Sequence, residues 1–140
     1  MNISLVRQPR LRLITAKSES FPEGNRAAFA AIEAHLKSLS GRKFYGLVYE
    51  SEAGMEYFAG LVPDNEIEER RFVALGFPII EIEAGRCART KILDWMRHTD
   101  EIGPAFGAMI GKHGIDPSRP QMEYYRSLSE LHLLLPVPTR

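Results

Sequence analysis

The residues best suited to chemistry in this 140-residue sequence are aromatic side chains grouped around one carboxylate. Glu123 lies in the run 121–125 (QMEYY), which is typical of a partly buried strand. Successive strand residues point to opposite faces, so Glu123 and Tyr125 share a face. A carboxylate beside aromatic rings can bind a lipophilic cation, because the rings supply cation–π attraction and the charge disfavours a neutral ligand. The candidate ligand-binding residues are Glu123, Tyr125, Trp95, Tyr49, Tyr57, Phe58 and Phe106.

Two other interpretations of Glu123 remain open. In the first, the aromatic rings fill the core and Glu123 forms an ordinary ion pair on the sheet surface. Its partners would then be Arg89, Arg119 or Arg126. In the second, a buried Glu123 with a raised pKa acts as a general base in the hydrolysis of a reactive small molecule, with Tyr125 or Trp95 orienting it. Glu123 is the catalytic candidate of that enzyme hypothesis, and no other catalytic residue is indicated.

Metal, nucleophile and phosphate sites are not indicated by the sequence. None of the four histidines is spaced with a second ligand as in the HExxH pattern. Cys87 is the only cysteine, which excludes an intrachain disulfide, and it is expected to be a small buried hydrophobe. The run 107–112 (GAMIGK) has three residues between its glycines where a phosphate-binding loop has four. We therefore expect no metal and no cofactor.

The composition indicates a globular protein with balanced charge. Hydrophobic residues make up 44% and charged residues 26%, and 18 basic residues cancel 18 acidic ones. These values exclude a disordered tail, a collagen-like fibre and a disulfide scaffold, and they argue against a dedicated nucleic-acid binder. The N-terminus lacks a signal-peptide pattern, and no apolar run approaches the roughly 20 residues of a membrane span. We expect a single cytoplasmic domain over residues 1–140, without direct contact to nucleic acid or membrane.

The first half of the chain is predicted to contain a strand, a helix and a hairpin. Residues 3–18 alternate apolar and basic side chains and are predicted as one half-buried strand. An apolar stripe predicts a helix over 25–41 that Gly41 closes, and the stripe consists of Phe29, Ile32, Leu36 and Leu39. Hairpin strands are predicted at 43–50 and 55–62. The acidic run 64–69 is predicted to be a solvated connector.

The second half repeats this order. Strands are predicted at 77–82 and 86–92, and a hairpin at 121–126 and 130–137. Between them lies a helix that ends at Gly111 and Gly114, with one face formed by Ile102, Phe106, Met109 and Ile110.

The two halves also share residues at a fixed offset. Ala105-Phe106 follows Ala28-Phe29 by 77 positions, as Arg119 follows Arg42 and Arg89 follows Arg12. The predicted fold class is α+β, a tandem repeat of two strand–helix–strand–strand units (about 1–70 and 71–140) with pseudo-two-fold symmetry. Their helices should lie on one side of a mainly antiparallel sheet, because units of this size rarely bury enough surface alone.

Several short motifs resemble the GyrI-like family of small-molecule-binding domains. Residues 82–88 (IEAGRCA) resemble its "I-P-A-G-x-Y-A" element, and 118–125 (SRPQMEYY) resemble "R-P-x-[FM]-E-x-Y". The end of the chain, 133–137 (LLLPV), resembles the family's terminal "l-x-i-P-V" strand. In the first half, 45–49 (YGLVY) and Ala59-Gly60 stand where the family has "G-x-Y" and "A-G".

The resemblance implies a ligand groove between the two units. In drug-binding members the glutamate of "E-x-Y" is a buried anchor for organic cations, which implies that role for Glu123 and a place beside it for Tyr125. Related domains are effector-binding parts of AraC- and MerR-type transcription regulators, multidrug-binding or gyrase-inhibiting proteins and some small hydrolases. Two departures affect the pocket, since Cys87 replaces an aromatic residue and Phe58 stands where many relatives are acidic.

The leading hypothesis is a stand-alone protein that binds amphipathic, cationic small molecules in an aromatic-lined groove. The partner it implies is a lipophilic cation. Besides the hydrolase, an alternative is a module that inhibits a larger protein such as DNA gyrase through the acidic run 64–69. A protein partner or a homodimer also remains open.

Overall fold

The computed structural model describes residues 1–139, in which three helices pack on one side of a curled, antiparallel sheet of eight strands. The predicted α+β fold class is therefore confirmed. The strands are β1 (Ser4–Gln8), β2 (Leu11–Lys17), β3 (Phe44–Ser51), β4 (Gly54–Leu61), β5 (Ile79–Ile82), β6 (Gly85–Leu93), β7 (Gln121–Tyr125) and β8 (Glu130–Pro136). The helices are α1 (Asn25–Glu33), α2 (Glu66–Ala74) and α3 (Ile102–His113).

The order of the strands in the sheet shows the predicted two-fold repeat. The sheet runs β1-β6-β8-β7-β3-β4-β2-β5, so β2-β4-β3 of the first unit mirrors β6-β8-β7 of the second about the β3–β7 pair. The outer strands are exchanged, because β1 pairs with β6 of the second unit and β5 pairs with β2 of the first. Phe29 and Phe106 hold equivalent places, each being the fifth residue of its helix.

The prediction of one strand over residues 3–18 was wrong. Two strands form, and they lie at opposite ends of the sheet. Gln8 pairs with Gly85, whereas Leu11 pairs with Ile82. Pro9 separates the two strands, since proline has no N–H to donate to a ladder.

The predicted helix over residues 25–41 is shorter than expected. α1 ends at Glu33, and Leu39 is 49% exposed outside it. Ser38, Ser40 and Gly41 favour turns over helix, and Gly41 adopts a φ of 72°. α3 is instead longer than a helix that ends at Gly111. It continues through Gly111 and is closed by Gly114, which adopts a φ of 74°.

The acidic run 64–69 is not a connector, and its prediction was wrong. It begins α2, whose first turn is capped by the Asn65 side chain accepting a hydrogen bond from the Glu68 N–H at 2.9 Å. Glu69 pairs with Arg12 of β2 at 2.7 Å, and Glu68 pairs with Arg42. α2 also buries Phe72 in the core beneath α1.

The sheet has two differently covered faces. On the helix face, side chains such as Ile14, Leu61 and Leu133 pack in the cores that α1, α2 and α3 complete. On the helix-free face, only strand residues and Val62 form the apolar cluster, which includes Leu47 and Met122. Of the predicted helix core, Ile32, Phe106 and Met109 are buried, whereas Phe29, Leu36 and Ile110 are half-buried. Within residues 1–139 no helix is long and apolar enough to cross a membrane.

Candidate ligand-binding site

The Glu123 carboxylate lies at the centre of the helix face. Glu123 pairs with Gly46 of β3 on one side and with Leu133 of β8 on the other, and it is 7% exposed. Its Oε1 accepts hydrogen bonds from the Tyr57 hydroxyl at 2.7 Å and the Tyr125 hydroxyl at 2.8 Å. The two hydroxyl oxygens are 3.3 Å apart. Oε2 has no hydrogen-bond partner among residues 1–139.

Gly46 provides the space in which this contact forms. Tyr57 belongs to β4 and must reach across β3 to meet a carboxylate on β7. A Cβ atom at Gly46 would overlap the Tyr57 hydroxyl and would lie 2.7 Å from Glu123 Oε1. A glycine in the interior of a strand weakens the sheet, and here it admits two side chains from neighbouring strands.

Burial controls the proton affinities in this cluster. Loss of hydration raises the pKa of Glu123, and the hydrogen bonds from Tyr57 and Tyr125 oppose that rise. Burial, reinforced by the nearby carboxylate, also raises the pKa of Tyr57 and of Tyr125. Both phenols therefore stay protonated at neutral pH and act as donors. No cationic side chain in the described part of the chain pairs with Glu123.

Three further aromatic rings contact the two tyrosines that donate to the carboxylate, and we call the five rings the aromatic cage: Phe21, Phe29, Tyr57, Trp95 and Tyr125. Phe21 stacks on Tyr57, with ring centres 5.6 Å apart and planes at 16°. Phe29 of α1 contacts Tyr125 edge-on at 5.4 Å and Tyr57 at 6.2 Å. Trp95 contacts Tyr125 at 5.1 Å, and its Nε1 donates to the Ser127 carbonyl at 3.2 Å.

The connections that enter α1 and α3 each place one ring on the cage. Phe21 belongs to the connection between β2 and α1, and Trp95 begins a short 3₁₀ turn (Trp95–Arg97) between β6 and α3. Trp95 is half-buried. Phe21 is 37% exposed, whereas Tyr57 beneath it is 1% exposed. Phe21 is therefore the outermost ring of the cage.

The structure brings together most of the predicted site residues. Glu123, Tyr57, Tyr125 and Trp95 form the cage and its carboxylate. Phe106 is buried on α3, in the core against which Trp95 and Tyr125 pack.

Two predicted site residues lie elsewhere. Tyr49 and Phe58 are on the helix-free face, where their rings meet edge-on at 5.7 Å. Strand alternation explains this placement, because Phe58 directly follows Tyr57 in β4 and therefore points to the opposite face.

Sequence reasoning missed three residues of the site. Phe29 belongs to the apolar stripe of its helix, which indicates a core residue. The stripe alone does not show that its ring also contacts Tyr57 and Tyr125. The glycine within the strand pattern at Gly46 was a usable signal, since it indicates a close approach. Phe21 lies in a turn and follows no periodic pattern, so nothing in the sequence singled it out.

The ion-pair interpretation of Glu123 is not supported by the geometry. Arg119 instead donates to Asp116 at 3.2 Å and to the carbonyl oxygen of Arg86 at 2.9 Å. Arg119 Nη1 also lies 3.9 Å from the Sγ of Cys87, a fully buried thiol whose pKa is raised by burial. Residues 1–139 contain no group of three or more His, Cys, Asp or Glu side chains arranged to hold a metal ion.

Solved structures of other proteins share this architecture. VCH_CASS2, an integron cassette protein from the mobile metagenome of Vibrio cholerae, is 13% identical, with a TM-score of 0.68 over 97% of this chain and 95% of the other. SAV2435, solved bound to tetraphenylphosphonium, is 14% identical, with a TM-score of 0.67 and coverages of 99% and 94%. The EcmrR C-terminal domain is 12% identical, with a TM-score of 0.61 and coverages of 99% and 98%.

The chain has the fold of these structures, which is the GyrI-like fold. The motif resemblance is thereby confirmed at the level of the fold. No protein-family model matches the sequence, and no curated protein matches it significantly. In this GyrI-like fold the aromatic cage lies between the two repeated units, because β4 and α1 supply one side of it and β7 with the turn before α3 supplies the other.

Proposed function

We propose that this protein binds lipophilic cations in the aromatic cage, with the Glu123 carboxylate as the counter-charge. The observation that carries the proposal is a carboxyl group 7% exposed, held by two tyrosines of the aromatic cage and without a cationic partner in residues 1–139. A buried charge is unfavourable unless it is paired. A ligand cation would supply the missing partner, and a neutral molecule would not.

The rings of the cage suit the rest of such a ligand. Aromatic faces attract a cation, and the attraction is stronger where water is excluded. Phe29 and Trp95 both lie in T-shaped contact with Tyr125, at ring-centre distances of 5.4 and 5.1 Å. Apolar groups of the ligand would replace water on these rings, which favours a cation that carries hydrophobic substituents.

Entry of a ligand requires the cage to open. Phe21 is the ring with the greatest exposure in the cage, and the connection that carries it is held by short local contacts, such as the Ser18 hydroxyl donating to the Ser20 carbonyl at 2.7 Å. Moving Phe21 off Tyr57 would uncover the carboxylate without breaking a strand pairing. The complex of SAV2435 with tetraphenylphosphonium supports the proposal, since it shows that a protein of this fold accepts a bulky organic cation.

The test is a calorimetric titration with two ions of the same shape and opposite charge, tetraphenylphosphonium and tetraphenylborate. The wild-type protein should bind the phosphonium and discriminate strongly against the borate. Glu123→Gln keeps the shape and should weaken phosphonium binding by about 1.5–3 kcal/mol, roughly 10- to 150-fold.

The matched control is Glu130→Gln. Glu130 is a half-buried carboxylate that pairs with His132 at 2.5 Å on the helix-free face, so this variant makes the same substitution away from the aromatic cage. It should leave phosphonium binding within about twofold. Equal affinity for the two ions, or an equal effect of the two substitutions, would contradict the proposal.

A further inference from the structure

The hydrogen bonds to Glu123 are distributed unequally over its two oxygens. Both phenols donate to Oε1, and Oε2 accepts nothing from residues 1–139. A neutral carboxyl group has this asymmetry, because its carbonyl oxygen offers two acceptor positions while its hydroxyl oxygen carries the proton. Oε2 is also not among the fully enclosed polar atoms without a partner, so it keeps some contact with solvent. A proton on Oε2 would have a path to water.

The groups that face Glu123 give an ionised carboxylate no counter-charge. Gly46 on β3 and Leu133 on β8 are its strand neighbours, and neither titrates. Phe29 of α1 covers the two phenols and is apolar. The titratable groups in contact are Tyr57 on β4 and Tyr125 on β7, and both remain neutral. An unpaired negative charge in these surroundings is strongly unfavourable, and a neutral carboxyl group avoids it.

We propose that Glu123 carries a proton on Oε2 in the ligand-free protein and that a binding cation displaces this proton, so that the site exchanges one positive charge for another. This inference rests on the proposed function. In the step, the O–H bond at Oε2 breaks, its electron pair stays on the carboxylate, and the proton leaves to water or buffer. The positive charge of the ligand takes the place of the proton, so the total charge of the site is unchanged.

The exchange predicts how affinity depends on pH. Burial raises the pKa of Glu123 in the free protein, and a bound cation lowers it again. A cation therefore binds to the deprotonated form and competes with the proton. Its affinity should rise about tenfold per pH unit below the pKa of free Glu123 and become constant above it. Ligand binding would then be weakened in acid.

The experiment measures protons released on binding of tetraphenylphosphonium, which has no proton of its own to lose. Titrations at about pH 5.5 in acetate and in MES, which both buffer there and differ in ionisation enthalpy, give the number of protons released per ligand. Below the pKa of free Glu123 the wild-type protein should release close to one proton. Glu123→Gln retains all four histidines and should release none, which separates Glu123 from any other group that titrates. Dissociation constants measured from about pH 5 to pH 8 give the second readout.

The outcomes separate this inference from the proposed function. Binding that releases no proton and keeps one affinity down to about pH 5 would overturn the exchange and leave cation binding intact. Equal proton release by wild type and Glu123→Gln would also overturn it. Absence of phosphonium binding at every pH would instead refute the proposed function. The comparison of buffers with wild-type protein does not depend on the folding of any variant.

Discussion

The two faces of the sheet carry similar aromatic residues in different charge environments. On the helix face, Tyr57 and Tyr125 meet a buried carboxylate that has no cationic partner in the described chain. On the helix-free face, Tyr45 and Tyr124 stack with ring centres 4.8 Å apart. Tyr124 also contacts His132, whose partner is Glu130, and the pKa of Glu130 is lowered chiefly by its hydrogen bond with His132.

This difference shows that aromatic content alone does not define a ligand site in this fold. Stacked tyrosines on the helix-free face need nothing further, because their rings pack and the carboxylate near them is already paired. The helix face instead holds a buried carboxyl group that has no cationic partner among residues 1–139, and such unpaired buried groups are candidates for a function. Substitutions at matched positions on the two faces therefore test the account.

The largest difference is expected between two glycines. Gly46→Ala places a methyl group on the Tyr57 hydroxyl and should lower the free energy of unfolding by about 2–3 kcal/mol, because the ring must move and its hydrogen bond to Glu123 is lost. Gly60→Ala on the helix-free face has its tightest contact with the flexible end of the Leu13 side chain, at 3.1 Å, and meets Leu13 Cβ and the Tyr45 carbonyl oxygen at an ordinary 3.5 Å. It should cost about 1 kcal/mol or less.

Urea unfolding gives these stabilities, and phosphonium titration gives the effect on the site. Gly46→Ala should weaken binding at least about tenfold, whereas Gly60→Ala should leave it nearly unchanged. If the two alanine variants were equally stable and bound equally well, the Tyr57–Glu123 contact would not be a determinant of the site.

A smaller difference is expected between two tyrosines. Tyr57→Phe removes one of the two donors to Glu123 and should lower the free energy of unfolding by about 1 kcal/mol. It should also move the pH profile of phosphonium binding to higher pH, since a hydrogen bond to the ionised form lowers the pKa of a carboxylate. Tyr45→Phe is the control. Burial raises the pKa of Tyr45 to about 12, so Tyr45 is also a buried, protonated phenol, but its ring lies on the helix-free face, away from Glu123. A shift of the pH profile of the same size in both variants would refute the role of the Tyr57 hydrogen bond in setting the pKa of Glu123.

The smallest difference is expected between two phenylalanines. Phe21→Ala should weaken phosphonium binding by about 0.5–1 kcal/mol, roughly two- to fivefold, through the loss of one cation–π face. Phe58→Ala on the helix-free face should have no effect on affinity. The readout is the fluorescence of Trp95, the only tryptophan, which contacts Tyr125 and should change saturably as the cage fills. An effect of Phe58→Ala equal to that of Phe21→Ala would place the ligand outside the cage.

Much of the fold could be predicted because it depends on local periodicity. The alternation in β3, β4, β7 and β8 defines both hairpins to within one residue. Breaks in the pattern were harder to predict, since apolar and basic residues occur on both sides of Pro9 and made the two strands look like one. The Asn65 side chain accepts a hydrogen bond from the Glu68 N–H and so caps the start of α2. The acidic residues of this segment suggested a solvent-exposed connector instead.

The site was predictable in its centre and less so at its edges. Glu123 and Tyr125 share a face by alternation within one strand, which needs no knowledge of the sheet. Tyr49 and Phe58 were included because they are aromatic and near in sequence. Their faces depend on the pairing of β3 with β4, in which Val48 lies opposite Tyr57. Phe21 reaches the aromatic cage from the turn between β2 and α1, and the path of that turn depends on tertiary packing.

The central claim is that a cation binds on the helix face against Glu123, and a crystal structure of the complex with tetraphenylphosphonium tests it most directly. The account predicts the phosphonium within the aromatic cage, with Phe21 moved off Tyr57 and the phenyl groups against Phe29 and Trp95. The Tyr57 and Tyr125 hydroxyls should still donate to Glu123. A phosphonium bound on the helix-free face, beside Tyr49, Phe58 or Tyr124, with the Glu123 cluster unchanged, would contradict it.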